Sequence, residues 1–212
     1  MSAIIQRLTE LNKLDVTLPV SNETIKINKI NLEVQSKFEE FARSTDNELY
    51  TSTEFVRFII NHIKKETKRD LNYIDKLAVI QHWYNDVKTD EPIECELKTI
   101  EIPNFTFDID STKVDIAFEL PTISKELAYL KYILANKDLK TMDVLFYFVF
   151  RYISTFTLED DVLSAEDIPT CQELYNLLSM SKVTSITEHI DEAFKPIQPV
   201  RDLEVNPRVF FA

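Results

Sequence analysis

The 212-residue sequence predicts an α+β protein: an N-terminal β-hairpin, a mainly helical body, and a small antiparallel β insert near 93–120. Three observations predict it. Apolar residues alternate with a period of two near 16–30 and again near 93–120. Helical spacing fills most of the remaining chain. Glycine is absent altogether, where average usage of about 7% would supply roughly fifteen.

Val16, Leu18 and Val20 alternate before the polar turn Ser21-Asn22-Glu23, and Ile25, Ile27 and Ile30 follow it, which reads as a hairpin. Asn31 is a good N-cap for a helix carrying Leu32, Val34, Phe38, Phe41 and Ala42. Thr51 and Glu54 have the capping-box form and open a second helix with Phe55, Phe58, Ile59, His62 and Ile63. A third helix spans about 71–87. After the Thr89-Asp90-Glu91-Pro92 break, Ile93, Cys95, Leu97, Ile100, Ile102, Phe105, Phe107, Ile109, Val114, Ile116, Phe118 and Leu120 predict two to four short strands. Pro121 ends them. Helical spacing returns over 123–134 and 142–153. The pairs Thr170/Glu173 and Ser185/Glu188 predict helices at about 171–180 and 186–194, with an acidic loop before them at Glu159-Asp160-Asp161 and Glu166-Asp167. From Pro196 onward the pattern predicts an extended tail. The chain is thus expected to divide into 1–90 (hairpin and helical layer), 91–121 (β subdomain), 122–195 (helical region) and 196–212 (tail).

Without glycine, backbone has no residue that takes positive φ free of a Cβ penalty, so Asn22, Asn47, Asn104 and Asn136 are the expected left-handed positions. Phosphate-cradling loops, dinucleotide fingerprints and the G-x-S-x-G elbow are excluded as motifs. The net charge of −12 is unevenly placed: 13 Lys/Arg against 14 Asp/Glu over 1–90, then 11 against 22 over 91–212. An acidic surface repels phosphate backbones, which argues against nucleic acid as a partner. Lys64, Lys65, Lys68 and Arg69 are the one basic concentration, at a helix end where cations complement the helix dipole. Cys95 and Cys171 fit reduced thiols better than a disulfide framework. Residues 1–10 lack the apolar core of a signal peptide. The most apolar run, 144–153, is interrupted by Arg151 and is half a bilayer's length, so no membrane span is expected.

Candidate chemistry is sparse. His62 and His82 belong to different helices and lack a metal-ligand spacing; His62 on an apolar face reads as a packing residue, as does His189. Asp108, Asp110 and Asp115 do not match a calcium loop in register, and the carboxylates at 159–161 read as hydrated loop. Acidic neighbours of Cys95 and Cys171 oppose a thiolate. No catalytic residue, cofactor or metal is assigned. The aromatic group in 146–156 is the main candidate. One stripe can hide Phe146, Val149, Phe150 and Ile153, but Tyr147, Phe148 and Tyr152 point elsewhere, which implies a helix buried all round or one that docks a partner. Tyr147, Phe148, Tyr152 and Phe156, with Phe210 and Phe211 in the apolar end, are therefore the candidate partner-binding residues.

The stretch Leu18-Pro19-Val20-Ser21-Asn22-Glu23-Thr24-Ile25-Lys26-Ile27, and later Ile116-Ala117-Phe118-Glu119-Leu120-Pro121-Thr122, resemble the T4-type bacteriophage baseplate protein family. The likeness covers about 15–135 as an order of elements and these two stretches as sequence. Asn22 stands where the family's hairpin commonly has glycine. Some relatives carry paired cysteines of zinc-ribbon type, whereas this insert has Cys95 alone, so Phe105, Phe107 and Phe118 are expected to supply its core. The resemblance implies a non-enzymatic role in building the tail baseplate of a contractile-tailed phage, as hub component or assembly chaperone. The implied partners are other tail or baseplate proteins in a hetero-oligomer, in the host cytoplasm during assembly and in the virion tail. Two alternatives stay open: a small acidic inhibitor or DNA mimic that binds a basic partner, and an enzyme whose site joins Cys171 to His189.

Overall fold

The computed structural model describes residues 3–44, 48–109, 111–135, 139–206 and 210. The α+β class holds. Among the described residues the chain forms α1 (Ala3–Leu11), β1 (Lys13–Leu18), β2 (Glu23–Asn28), α2 (Leu32–Arg43), α3 (Glu48–Thr67), α4 (Tyr73–Val87), β3 (Phe105–Ile109), β4 (Thr112–Phe118), α5 (Ile123–Leu134), α6 (Thr141–Phe150), β5 (Ile153–Leu158), β6 (Asp161–Ser164), α7 (Ile168–Leu177), α8 (Met180–Phe194) and α9 (Gln198–Val205). These elements belong to two compact units, Met1–Thr99 with Ile197–Ala212, and Ile100–Pro196. The first unit is therefore interrupted by the second and completed by the last residues of the sequence.

In the first unit β1 and β2 pair antiparallel from Lys13↔Asn28 to Leu18↔Glu23, burying Val16, Leu18 and Ile27. The turn is fastened to α4. Asp75, buried two residues into that helix, accepts the N–H of Val20 at 2.8 Å, while its own N–H is capped by Asn72 Oδ1 at 3.0 Å. Burial pushes the Asp75 carboxyl up, against the pull of the Val20 and Ser21 amides. Asn31 caps α2 as expected, accepting from the N–H of Val34 at 2.9 Å, although Leu32 faces solvent. Phe38, Phe55, Ile59, Ile63, Leu77 and Ile80 fill the core, and α9 packs on α3 and α4.

Residues 93–102 form no strand despite their alternation. Side chains of α4 take up backbone groups there that a strand partner would otherwise bind. Asn85 accepts the Ile93 N–H at 2.8 Å and donates to the Ile93 carbonyl at 3.0 Å, and Gln81 donates to the Cys95 carbonyl at 3.4 Å.

In the second unit the sheet order is β3-β4-β5-β6, all antiparallel, with α5 and α6 crossing between β4 and β5. The expected insert thus supplies half of a four-stranded sheet. The other half lies where the sequence reading placed a helix end and an acidic loop. Helix α6 stops at Phe150, and the β-branched residues Ile153, Thr155 and Thr157 continue as β5. Glu159 and Asp160 are the two-residue turn into β6, with Leu158↔Asp161 the last pair.

Other boundaries also shift. Helix α7 is capped by Asp167, whose carboxylate accepts the Thr170 N–H at 3.3 Å, so Thr170 lies inside the helix. Helix α8 starts at Ser179, six residues before the expected Ser185, which instead donates to the Ser181 carbonyl at 3.0 Å. The tail after Pro196 is helical over Gln198–Val205, because Pro199 falls in the first turn, where no backbone N–H is required.

Among the described residues, four non-glycine positions take positive φ: Asn22 (55°), Lys68 (54°), Ser111 (71°) and Glu159 (54°). Asn22 meets expectation, Asn104 does not, and Asn47 and Asn136 lie outside the described residues. Lys68 follows the last residue of α3 and returns its N–H to the Lys64 carbonyl at 2.9 Å, the role a glycine usually plays at a helix end. Glycine at such a position removes a Cβ clash and adds some unfolded-chain entropy. Lys68→Gly and Glu159→Gly should each raise stability by about 0.5–1 kcal/mol in urea unfolding. A loss at both positions would contradict this account of the turns.

Candidate functional sites

The aromatic residues of 146–156 surround a charge. Arg151, at the end of α6, is 1% exposed; its Nη1 donates to Glu126 Oε1 of α5 at 2.7 Å and to the Tyr147 hydroxyl at 2.8 Å. The Tyr147 hydroxyl donates to the same Glu126 oxygen at 3.3 Å. The guanidinium carbon lies 4.8 Å from the Tyr147 ring centroid, 5.0 Å from Phe148 and 4.8 Å from Tyr152. A weakly hydrated, planar cation suits such an enclosure. Aromatics occupy several faces of α6 because one set meets the core and another lies around Arg151.

This changes the picture of the candidate partner-binding residues. Tyr147, Tyr152, Phe156 and Phe210 are buried in the folded chain, and only Phe148 is half-buried. Phe156 packs on Phe150 at 5.2 Å, and Tyr152 on Phe194 at 5.0 Å. In the first unit Phe210 packs edge-on against Phe38 at 5.1 Å and Tyr84 at 5.8 Å. Phe211 lies outside the described residues. The buried four present no surface to a partner while the chain is folded this way.

The potential active groups are likewise held in packing roles. Cys171 of α7 is buried and its Sγ lies 3.7 Å from the Ser164 carbonyl; burial pushes the thiol up to about 11. That opposes a thiolate. His189 of α8 bonds the Pro103 carbonyl through Nε2 at 2.7 Å and sits between Phe105 at 5.0 Å and Phe118 at 5.6 Å. The structure therefore gives the two separate settings. Cys95 is half-buried, and burial raises its thiol too. Asp115 is engaged by the Thr106 hydroxyl at 2.5 Å and Lys113 Nζ at 2.9 Å, while Asp110 lies outside the described residues. His62 lies parallel to Phe58 and 5.3 Å from Trp83, in an open groove of about 320 Å³ between α2 and α3. Burial lowers its basicity, and Lys37, Lys65, Glu33 and Glu66 give the groove walls both signs of charge. Of the basic cluster, Lys68 ends a helix and Arg69 pairs with Glu23.

The sequence reading missed three features. Lys76 of α4 and Glu204 of α9, 0% and 1% exposed, form an ion pair of 2.5 Å, and the Tyr73 hydroxyl donates to the other Glu204 oxygen at 3.0 Å. Glu126 is the second. Lys76 and Glu126 each sit three residues after one buried apolar residue and four before another, so a charge inside an apolar stripe was the available signal. The third is α1, whose Ile4, Leu8 and Leu11 share one helical face and are 72%, 60% and 69% exposed.

No family model, curated protein or solved structure matches the chain. Among the described residues, no helix is long and apolar enough to cross a membrane.

If the aromatics around Arg151 act as core, Tyr152→Ser should cost about 3–5 kcal/mol in equilibrium unfolding. Phe148→Ser, at a half-buried position, should cost about 1–2 kcal/mol. Equal losses would contradict the placement.

Proposed function

We propose that this chain is a non-enzymatic interaction protein in tail baseplate assembly of a contractile-tailed phage, as a hub component or assembly chaperone. The observation that carries an interaction role is α1, a short amphipathic helix that leaves Ile4, Leu8 and Leu11 in solvent directly before the hairpin. Water contact with three large aliphatic side chains on one face is unfavourable, by about 1.5–3 kcal/mol for each side chain a partner would fully bury. Such a face suits a helix-in-groove contact. The baseplate assignment itself rests on the resemblance of 18–27 and 116–122 to that family. The first of these stretches is the turn and second strand of the hairpin, and the second runs from β4 to Thr122, the N-cap of α5.

A second reading is favoured by the charge distribution. Residues 100–196, the second compact unit, carry 8 Lys/Arg against 17 Asp/Glu, which suits an acidic inhibitor or DNA mimic directed at a basic cleft. The two readings differ in partner and in salt dependence. A basic-cleft partner should be lost steeply with salt, whereas an α1-mediated complex should persist.

Co-expression with the tail proteins encoded beside this chain, followed by size-exclusion chromatography, should give a stable heteromeric complex. The double substitution Ile4→Glu with Leu8→Glu should abolish the complex while leaving the thermal midpoint of the isolated chain unchanged. A monomeric elution with every tail protein tried would contradict the proposal.

A further inference from the structure

The segment after α4 is laid out as a strand with one edge taken and the other open. Asn85 holds the Ile93 N–H at 2.8 Å and the Ile93 carbonyl at 3.0 Å, and Gln81, one helical turn earlier, donates to the Cys95 carbonyl at 3.4 Å. Four residues of helix rise about 6 Å. Two residues of extended chain rise about 6.6 Å, so this match means that the segment runs extended and antiparallel to the helix. Burial agrees: Ile93, Cys95 and Leu97 are half-buried, whereas Glu94, Glu96 and Lys98 are exposed. Glu96 and Lys98 pair at 2.8 Å, as side chains two apart on one face of a strand do.

In an extended chain the N–H and C=O of one residue leave by one edge and those of the next residue by the other. The edge of Ile93 and Cys95 is bound to α4. The opposite edge belongs to Glu94, Glu96 and Lys98, and among the described residues their backbone groups have no hydrogen-bond partner. Pro92, which has no N–H, bounds this edge at one end. The alternation stops at the other end, where Lys98 and Thr99 are both exposed.

We propose that this edge receives a strand from a partner protein, an extended segment rich in lysine or arginine that pairs with Glu94–Lys98. Main-chain hydrogen bonds supply the affinity, and cross-strand ion pairs with Glu94 and Glu96 select the sign of the partner. Because α4 already holds the segment extended, little chain entropy is lost on docking. Residues 90–98 expose Asp90, Glu91, Glu94 and Glu96 against Lys98 alone, so a second copy would bring the same excess of negative charge to the edge, and a basic segment is the better complement. The site involves no residue of α1 and does not rest on the baseplate reading.

Hydrogen exchange in the full-length protein, followed by NMR, tests it with a defined probe: an eight-residue peptide alternating lysine with valine and threonine. Saturating peptide should slow exchange of the Glu94, Glu96 and Lys98 amides by at least about tenfold. A peptide with glutamate in place of every lysine should not, and neither should one with proline in place of every valine and threonine, which cannot extend a ladder. The double substitution Glu94→Lys with Glu96→Lys should transfer the protection to the glutamate peptide and leave the thermal midpoint unchanged. Unslowed exchange at saturating lysine peptide would overturn the proposal, as would equal protection by the proline peptide. Amides that become protected as the protein alone is concentrated would overturn it too, since the edge would then belong to a second copy.

Discussion

The completion of the first unit depends on one buried contact, Lys76 with Glu204. Both groups have left water, and their close mutual contact offsets part of that loss, with Tyr73 donating to the second carboxylate oxygen. Such a pair contributes little net stability relative to apolar packing, yet either partner alone would be a severe fault. A buried charge with its counter-charge opposite favours the register of α9 that sets Glu204 against Lys76, where α9 packs on α3 and α4. The second unit repeats the device with Arg151 and Glu126, and places Tyr147, Phe148 and Tyr152 around the cation.

A backbone without glycine sharpens the same constraint. Sharp turns fall to Asn22, Lys68, Ser111 and Glu159, each of which takes a left-handed conformation at some cost. Two of these are charged residues that reach water easily from an exposed turn. Polar side chains take over part of the work that backbone does elsewhere. Asp75 receives the hairpin turn, Asn85 and Gln81 receive the irregular segment after α4, and Asn31, Asn72 and Asp167 cap helices.

Local patterns carried much of the fold. The alternation at 16–30, the cap at Asn31 and the stripe of 71–87 each concern a few neighbouring residues, and each was legible. What depended on distant partners was not. The alternation at 93–102 lost its strand to side chains of α4, and β5 and β6 appeared because β4 offered an edge that no local window contains. The capping-box pattern misled at Thr170 and Ser185, where Asp167 and Ser179 start the helices earlier. The aromatic excess at 146–156 was visible, but its cause was not, since Glu126 lies twenty-five residues from Arg151 in sequence. The sequence marks Phe210 as a partner-binding candidate, and the structure packs it on Phe38 and Tyr84 within its own unit.

The central claim is that a buried charge pair, and not apolar area alone, fixes how the last helix closes the first unit. Urea unfolding of Lys76→Met, Glu204→Leu and the double variant tests it most directly. The account predicts a loss of about 3–5 kcal/mol for each single substitution and recovery of most of that loss in the double variant, because both charges of the pair are then removed. Losses that simply add in the double variant would contradict it.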